Sequence, residues 1–235
     1  MEVIRIKIKG IRNIRDISQY KTESGKQIKP KALIRSSRLD KANDKNRSKL
    51  FNEYNIKTII DLRTDIEVSE SKKYELPADT KLIHLSLLSE SFFGISREKK
   101  MGSALRKISK ELTGDNIGVE YMKSMYKSII FHEFSQSQIK RFFELIVENK
   151  DGGIVYHCTG GKDRTAIITL CLLTILGVSK EDIIRDYCMS DICNRRYNIK
   201  TKILSNMFLF PMPKFKNLLI EMLYSKKEYI EYTIS

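Results

Sequence analysis

Residues 151–177 constrain the fold more than any other part of the chain. Asp151-Gly152-Gly153 reads as a turn, and Ile154-Val155-Tyr156 as a short buried strand. Thr165 to Leu176 is nearly continuous apolar sequence of helical length, with Gly177 as a helix stop. Only His157, Cys158 and a five-residue loop ahead of Arg164 separate strand from helix. Ala166 to Leu176, the longest mostly apolar run, is too short to span a bilayer, so it is a buried helix.

The flanking sequence supplies further strands and helices. Val3 to Ile8 alternates apolar and basic residues as a strand does, and Ala32–Ile34, Thr58–Leu62 and Lys81–Leu88 are further strand candidates. Residues 43–54 and 103–148 carry helical spacing, the latter interrupted near Thr113-Gly114-Asp115. Within it, Ile117–Ile130 and Ser135–Val147 each suit an amphipathic helix. Residues 180–205 and 214–230 are also helical in pattern, separated by the apolar stretch Met207–Pro213, and Ser179 with Asp182 resembles a capping box. Strands mixed with long helices predict an α/β fold, a central, mainly parallel sheet flanked by helices. With no Pro-, Gly- or Ser-rich linker, residues 1–235 are expected to form a single domain.

Composition removes several classes of protein. Hydrophobic residues at 41% are too many for a disordered chain. Cys158, Cys171, Cys188 and Cys193 form no C-x-x-C pair, and no apolar leader opens the sequence. A disulfide framework is therefore not expected, and the reading is cytoplasmic, with export by a route lacking an N-terminal signal left open. His84, His132 and His157 are scattered, and His157 and Cys158 would point to opposite faces of a strand, so no metal site is expected. The net charge is +14, and residues 1–50 hold 15 basic and 5 acidic side chains, a surplus of 10. Such a field attracts phosphorylated protein or anionic lipid, or is simply a lysine-rich solvated surface. The interleaved aromatics of a nucleic-acid module are missing, so no nucleic-acid partner is expected.

The loop itself carries the chemistry. A short loop running into a helix N-terminus turns backbone N–H groups inward, making an anion cradle of phosphate size. Thr159, Gly160, Gly161, Lys162, Arg164 and Thr165 are its expected substrate-binding residues. The same positive environment favours the thiolate of Cys158, the nucleophilic form. The planar fork of Arg164 can hold two phosphoryl oxygens at once. Asp163 would repel a bound phosphate, and is best explained as a proton donor to the leaving oxygen and then a base toward water. Lys162 offsets that charge and is placed to reach a second phosphate. The Thr165 hydroxyl is expected to donate to the Cys158 sulfur, and His157 to orient the loop through backbone hydrogen bonds. A Walker loop is excluded, since Asp163 follows the lysine and Tyr156 holds the position of the first glycine.

The segment H-C-x-x-G-K-x-R-T resembles the signature loop of the protein tyrosine phosphatase superfamily. Its G-K-D-R-T form resembles an atypical bacterial branch acting on phosphotyrosine and phosphoinositides. Asn13-Ile14-Arg15-Asp16 resembles that branch's N-[FIL]-R-D motif, and Leu33-Ile34-Arg35-Ser36-Ser37 its L-[FY]-R-S-[GA]. Ile59-Ile60-Asp61-Leu62-Arg63, with Glu67 beyond, resembles its V-I-D-L-R-x-x-x-E. Gly160 stands where Ala is more common, and Ala166 where Gly is usual.

The resemblance implies a cysteine-phosphatase-like fold and a reaction without cofactor or metal. Cys158 would be the nucleophile, Arg164 the phosphate clamp and Asp163 the general acid. His157, Asp61 and Arg63 would support the loop, Asp61 by pairing with Arg63, by capping a helix or by a direct catalytic role. Arg15, Asp16, Arg35 and Arg63 would form an ion network beneath the loop or touch substrate. Met207–Phe215 reads as core packing or as part of a cover over the site. Arg97, Lys99, Lys100, Arg106, Lys107 and Lys110 form a solvated face, or a peripheral contact with anionic membrane. The rival reading is a non-catalytic phosphate- or phosphoinositide-binding module, which would have no need of the thiol.

Overall fold

A computed structural model of the chain describes residues 5–89, 117–208 and 213–234. Among the described residues, five strands form one sheet: β1 (Arg15–Asp16), β2 (Leu33–Ser37), β3 (Ile56–Asp61), β4 (Lys81–His84) and β5 (Gly153–Cys158). The order across the sheet is β1-β2-β5-β3-β4, with β5 central. β1 runs antiparallel to β2, while β2, β5, β3 and β4 are parallel. Around the sheet lie α1 (Asp44–Asn52), α2 (Asp65–Ser69), α3 (Ile117–Phe131), α4 (Glu133–Glu148), α5 (Asp163–Ile175), α6 (Lys180–Phe208), α7 (Pro213–Glu221) and α8 (Lys227–Ile234). The expected α/β architecture, a mostly parallel sheet flanked by helices, is what the chain adopts.

Alternation along the strands divides the core in two. Ile154, Tyr156 and Cys158 of β5 face the larger cluster, with Phe142 of α4, Ile167 of α5, Tyr187 of α6 and Tyr229 of α8. Val155 faces the smaller one, with Ile8, Ile34, Leu50 and Ile59. Both faces of β5 are covered, which is why its sequence reads as a continuous apolar run. Ile56 and Ile59 share the smaller cluster although three residues apart, because the pairing register shifts between Ile56 and Thr58.

Several elements differ from the sequence expectation. Over its described residues the Val3–Ile8 segment makes isolated bridges, Arg5 to Arg15 and Ile8 to Ile11, and no strand. The reason is the turn at Gly10, after which Ile11 N donates to Ile8 O and Ile6 N to Ile14 O. The helix expected over 214–230 is two helices, α7 and α8. In the break between them, Lys162 Nζ donates to Met222 O and Tyr224 O, and Ser225 N to Asp191 Oδ1. Tertiary partners thus claim the backbone groups that would have continued the helix. The strand of Lys81–Leu88 ends at His84, and its backbone follows β3 through Leu85 N to Asp61 O.

Helix boundaries follow local chemistry. The Asn43 side chain caps α1 by accepting from Asn46 N, and Ser179 Oγ accepts from Asp182 N at the start of α6. Gly177 closes α5 with φ of +69°, and Val178 N reaches back to Leu173 O, a Schellman-type end. Among the described residues no helix is long and apolar enough to cross a membrane. The basic segment Arg97–Lys110 and residues 209–212 of the apolar stretch lie outside the described residues.

Candidate active site

The C-terminal ends of the parallel strands converge on one rim. Ser37 is in register with Cys158, and Asp61 with His157. In open α/β sheets, ligands bind at this rim, outside the carboxyl ends of the strands. Cys158 ends the central strand and is buried, and all four cysteines are free thiols. The chain then turns through Thr159–Lys162 into α5. Lys162, at the N-cap, supplies no side-chain acceptor to the first turn of α5. The first N–H groups of a helix have no intrahelical acceptor, and here they lie at the positive end of the helix dipole without a side-chain cap from Lys162.

Gly161 sets the shape of the loop. Its φ is +63°, and a Cβ there would lie 2.5 Å from Ser36 C and O. Both the left-handed backbone and the close approach to β2 exclude a larger residue. Two side chains hold it: Asn13 Nδ2 donates to Gly161 O at 2.6 Å, and Arg35 Nη2 donates to the same oxygen at 2.9 Å.

Beneath the loop sits a buried ion cluster. Arg15 Nε donates to Asp186 Oδ1 at 2.9 Å, Arg35 Nη1 pairs with Asp186 Oδ2, and Tyr20 Oη donates to Asp186 Oδ1 at 3.1 Å. Arg15, Arg35 and Asp186 are almost wholly enclosed. Burial pushes the Asp186 carboxyl up, but the two guanidiniums outweigh it and hold the group below its ordinary value. Two positive charges against one negative leave a net positive charge under the cradle. Arg15 and Arg35 therefore lie in the network beneath the loop, one of the two roles the sequence left open.

Arg164 is oriented from across the site by Glu67. The carboxylate accepts from Arg164 Nη1 and, at 2.8 Å, from Nη2, while Thr159 Oγ1 donates to its Oε1. Glu67 is also the third helical residue of α2 and accepts from the Thr64 N–H, so its position is fixed by a capping box. Burial alone would lower the Arg164 pKa, but Glu67 above all, then Cys158 and Asp163, hold it above its ordinary value. Burial would likewise raise Glu67, yet Arg164, Thr159 and the Thr64 N–H hold it well below the carboxylate range.

Asp163, the first residue of α5, is partly exposed. Its Oδ1 accepts from Tyr126 Oη at 2.7 Å and lies 3.3 Å from Lys162 Nζ. The Lys162 side chain is buried, its amine donating to Met222 O at 2.7 Å and Tyr224 O at 3.0 Å. That places the amine on the α7–α8 turn rather than toward a second phosphate. The Thr165 hydroxyl is enclosed with no hydrogen-bond partner among the described residues.

Asp61 and Arg63 pair with each other. Arg63 Nε and Nη2 reach the Asp61 carboxylate at 2.9 and 2.6 Å. Burial favours the neutral form of Asp61, but His157 and Arg63 outweigh it and its pKa is lowered. His157 lies on the far face of β5, fully buried, with Nδ1 3.6 Å from Asp61 Oδ1. Burial lowers its pKa, and Asp61 only partly opposes this. Its ring nitrogens make no hydrogen bond among the described residues, so the expected hydrogen bonds to the loop backbone are not made; its backbone oxygen accepts from Leu62 N, just past the end of β3, at 2.8 Å. Among the described residues no group of three or more His, Cys, Asp or Glu is placed to hold a metal ion.

Asn13, Glu67 and Asp186 are absent from the site residues read in the sequence. Asn13 and Glu67 fall within the quoted motifs, which was the signal for them. Asp186 had none.

A thiol ending the central parallel strand, one short loop from an uncapped helix start and within electrostatic reach of a clamped guanidinium, defines an α/β protein built around a cysteine–arginine anion cradle. The chain belongs to the tyrosine phosphatase family, whose model matches residues 6–235. It is 31% identical over 161 residues to a tyrosine-protein phosphatase of Nostoc commune, covering 68% of this chain and 48% of that protein. It is 23% identical over 199 residues to the triple specificity protein phosphatase PtpB of Mycobacterium tuberculosis, covering 77% of this chain and 67% of that protein. The match thus spans about half the length of the Nostoc relative.

Proposed function

We propose that this protein is a cysteine-dependent phosphatase that hydrolyses phosphotyrosine in proteins through a cysteinyl-phosphate intermediate. The observation that carries the reading is the convergence of Cys158, the uncapped start of α5 and the Glu67-clamped Arg164 on one anion-sized loop. A phosphoryl group in the loop accepts from the orphan N–H groups and from the guanidinium donors that Glu67 leaves free. The Cys158 thiolate attacks phosphorus, the P–O bond breaks, and the electron pair leaves with the tyrosine oxygen. Asp163 gives that oxygen its proton. Water then attacks the cysteinyl phosphate, Asp163 takes a proton from it, and the thiolate departs. No step needs a metal or a cofactor.

Phosphoinositides are a second substrate class in this reading. The basic first fifty residues favour an anionic, multiply charged surface, and the mycobacterial relative's own name records more than one specificity. Contact with anionic membrane would follow from such a substrate.

The test is turnover of a phosphotyrosine peptide and a phosphoinositide panel by wild type, Cys158→Ser and Asp163→Asn across pH. A dead Cys158→Ser and loss of the basic limb in Asp163→Asn are expected. Vanadate binding without turnover in wild type would replace the reading with that of a phosphate-binding module.

A further inference from the structure

Asp163 does not stand alone, and the chain of groups behind it has a direction. Tyr126 of α3 donates to Asp163 Oδ1 at 2.7 Å, and Tyr126 and Tyr187 hydroxyls lie 2.7 Å apart. A phenol has one hydroxyl proton. Since Tyr126 gives its proton to Asp163, Tyr187 of α6 must donate to Tyr126. The relay therefore runs Tyr187 to Tyr126 to Asp163.

Packing makes the relay rigid. Tyr126 is wholly buried and Tyr187 nearly so. The Tyr126 ring meets those of Tyr187 and Tyr229 edge-on, at centroid distances of 6.1 and 6.3 Å. Burial, with Asp163 adding to it, raises both hydroxyls well above the ordinary tyrosine value, so they stay protonated donors. The other charged or titratable groups among the described residues that sense Asp163 are Lys162 and Arg164 beside it, Tyr121 of α3, Asp191 of α6 and Tyr229 of α8. Among the described residues, Tyr126 is the neutral donor hydrogen-bonded to its carboxylate.

A donor on Oδ1 serves both states of the acid. An ionised carboxylate accepts from it, and so does the carbonyl oxygen of a protonated carboxyl. A second proton on Oδ1 would meet the Tyr126 proton and the Lys162 ammonium at 3.3 Å. The transferable proton is thereby confined to Oδ2, which has no hydrogen-bond partner among the described residues.

We propose that Tyr126, backed by Tyr187, is the positioning residue of the general acid, anchoring Asp163 Oδ1 so that Oδ2 carries and delivers the proton to the leaving oxygen. The proposal rests on the reading of Asp163 as general acid. Tyr126 touches neither substrate nor phosphorus and acts only through the carboxyl group.

General-acid assistance matters most for a poor leaving group, which gives the test its sensitivity. Wild type, Tyr126→Phe, Asp163→Asn and the double variant of the two are compared on phenyl phosphate and on p-nitrophenyl phosphate. The expected result for Tyr126→Phe is a kcat about tenfold lower on phenyl phosphate, with less than about twofold change on p-nitrophenyl phosphate and KM unchanged. In the Asp163→Asn background the Tyr126 substitution is expected to have no further effect. Because Tyr126→Phe leaves the Tyr187 hydroxyl buried without an acceptor, Tyr126→Phe/Tyr187→Phe is measured beside it, with no orphan hydroxyl to unfold it. Equal loss on both substrates, in both Phe variants, would overturn the positioning role. A leaving-group-dependent loss in Asp163→Asn but not in Tyr126→Phe would overturn this proposal alone. Absence of that dependence in Asp163→Asn would remove the general-acid reading beneath it.

Discussion

Glu67 and Arg164, 97 residues apart in the chain, meet fork to fork: both carboxylate oxygens take the two terminal nitrogens of the guanidinium. The pair fixes the plane of the arginine before any phosphate arrives, so the ordering of a long side chain is not a cost at the moment of binding. Glu67→Gln keeps the size and one acceptor but loses the charge. Its kcat/KM on a phosphotyrosine peptide is expected to fall about tenfold or more. Steady-state kinetics check this.

The same pair predicts a pH dependence of stability. The Glu67 pKa lies below its ordinary 4.5 in the folded protein. A lowered carboxylate contributes stability that is fully present above the unfolded value and is lost as pH falls through the folded one. The stability gap between wild type and Glu67→Gln should therefore be constant above pH 4.5 and close progressively below it. Urea unfolding at a series of pH values measures it.

Asp186 neutralises half of a buried cationic pair. Asp186→Asn leaves Arg15 and Arg35 facing each other with no counter-charge, which should cost roughly 3 kcal/mol of stability. The loop loses its floor at the same time, since Arg35 also holds Gly161 O. Chemical denaturation, with vanadate binding as a second readout, checks both effects.

Gly161→Ala places a methyl group against the Ser36 carbonyl and puts a side chain at positive φ. The expected result is a destabilisation of about 1–3 kcal/mol and a loss of anion binding. Gly160→Ala is the control, because a Cβ there meets only Lys162 Cβ at 3.9 Å. It should fold and bind as wild type does.

Lys162 joins the Cys158–Arg164 loop to the α7–α8 turn. Lys162→Met removes two charge-assisted hydrogen bonds to Met222 O and Tyr224 O. Amide exchange around residues 221–227 should quicken, read by hydrogen–deuterium exchange. Preference between singly and doubly phosphorylated substrates should stay unchanged, because the amine is committed to backbone.

What was legible in the sequence was local. The strand–loop–helix of residues 153–176 is continuous in the chain, so its apolar runs and Gly161 announced it directly. Asn13 and Glu67 lay in the motifs compared, but only the fold brings them to Gly161 and Arg164. Asp186 sits in the second turn of the long helix α6, 171 residues from Arg15, where a helical aspartate looks like any solvated charge. The break between α7 and α8 was invisible for the same reason: its backbone groups answer to Lys162 and Asp191. The Val3–Ile8 alternation is a strand pattern, but the turn at Gly10 leaves its described residues only isolated bridges to residues 11–15.

The central claim is that phosphate passes through Cys158. Wild type is mixed rapidly with an aryl phosphate, quenched in denaturant within the first turnovers, and the peptides are analysed by mass spectrometry. The account predicts a burst of phenol stoichiometric with enzyme and a phosphoryl group on the peptide holding Cys158, with neither in Cys158→Ser. A phosphoryl group on another residue, or full turnover by Cys158→Ser, would contradict it.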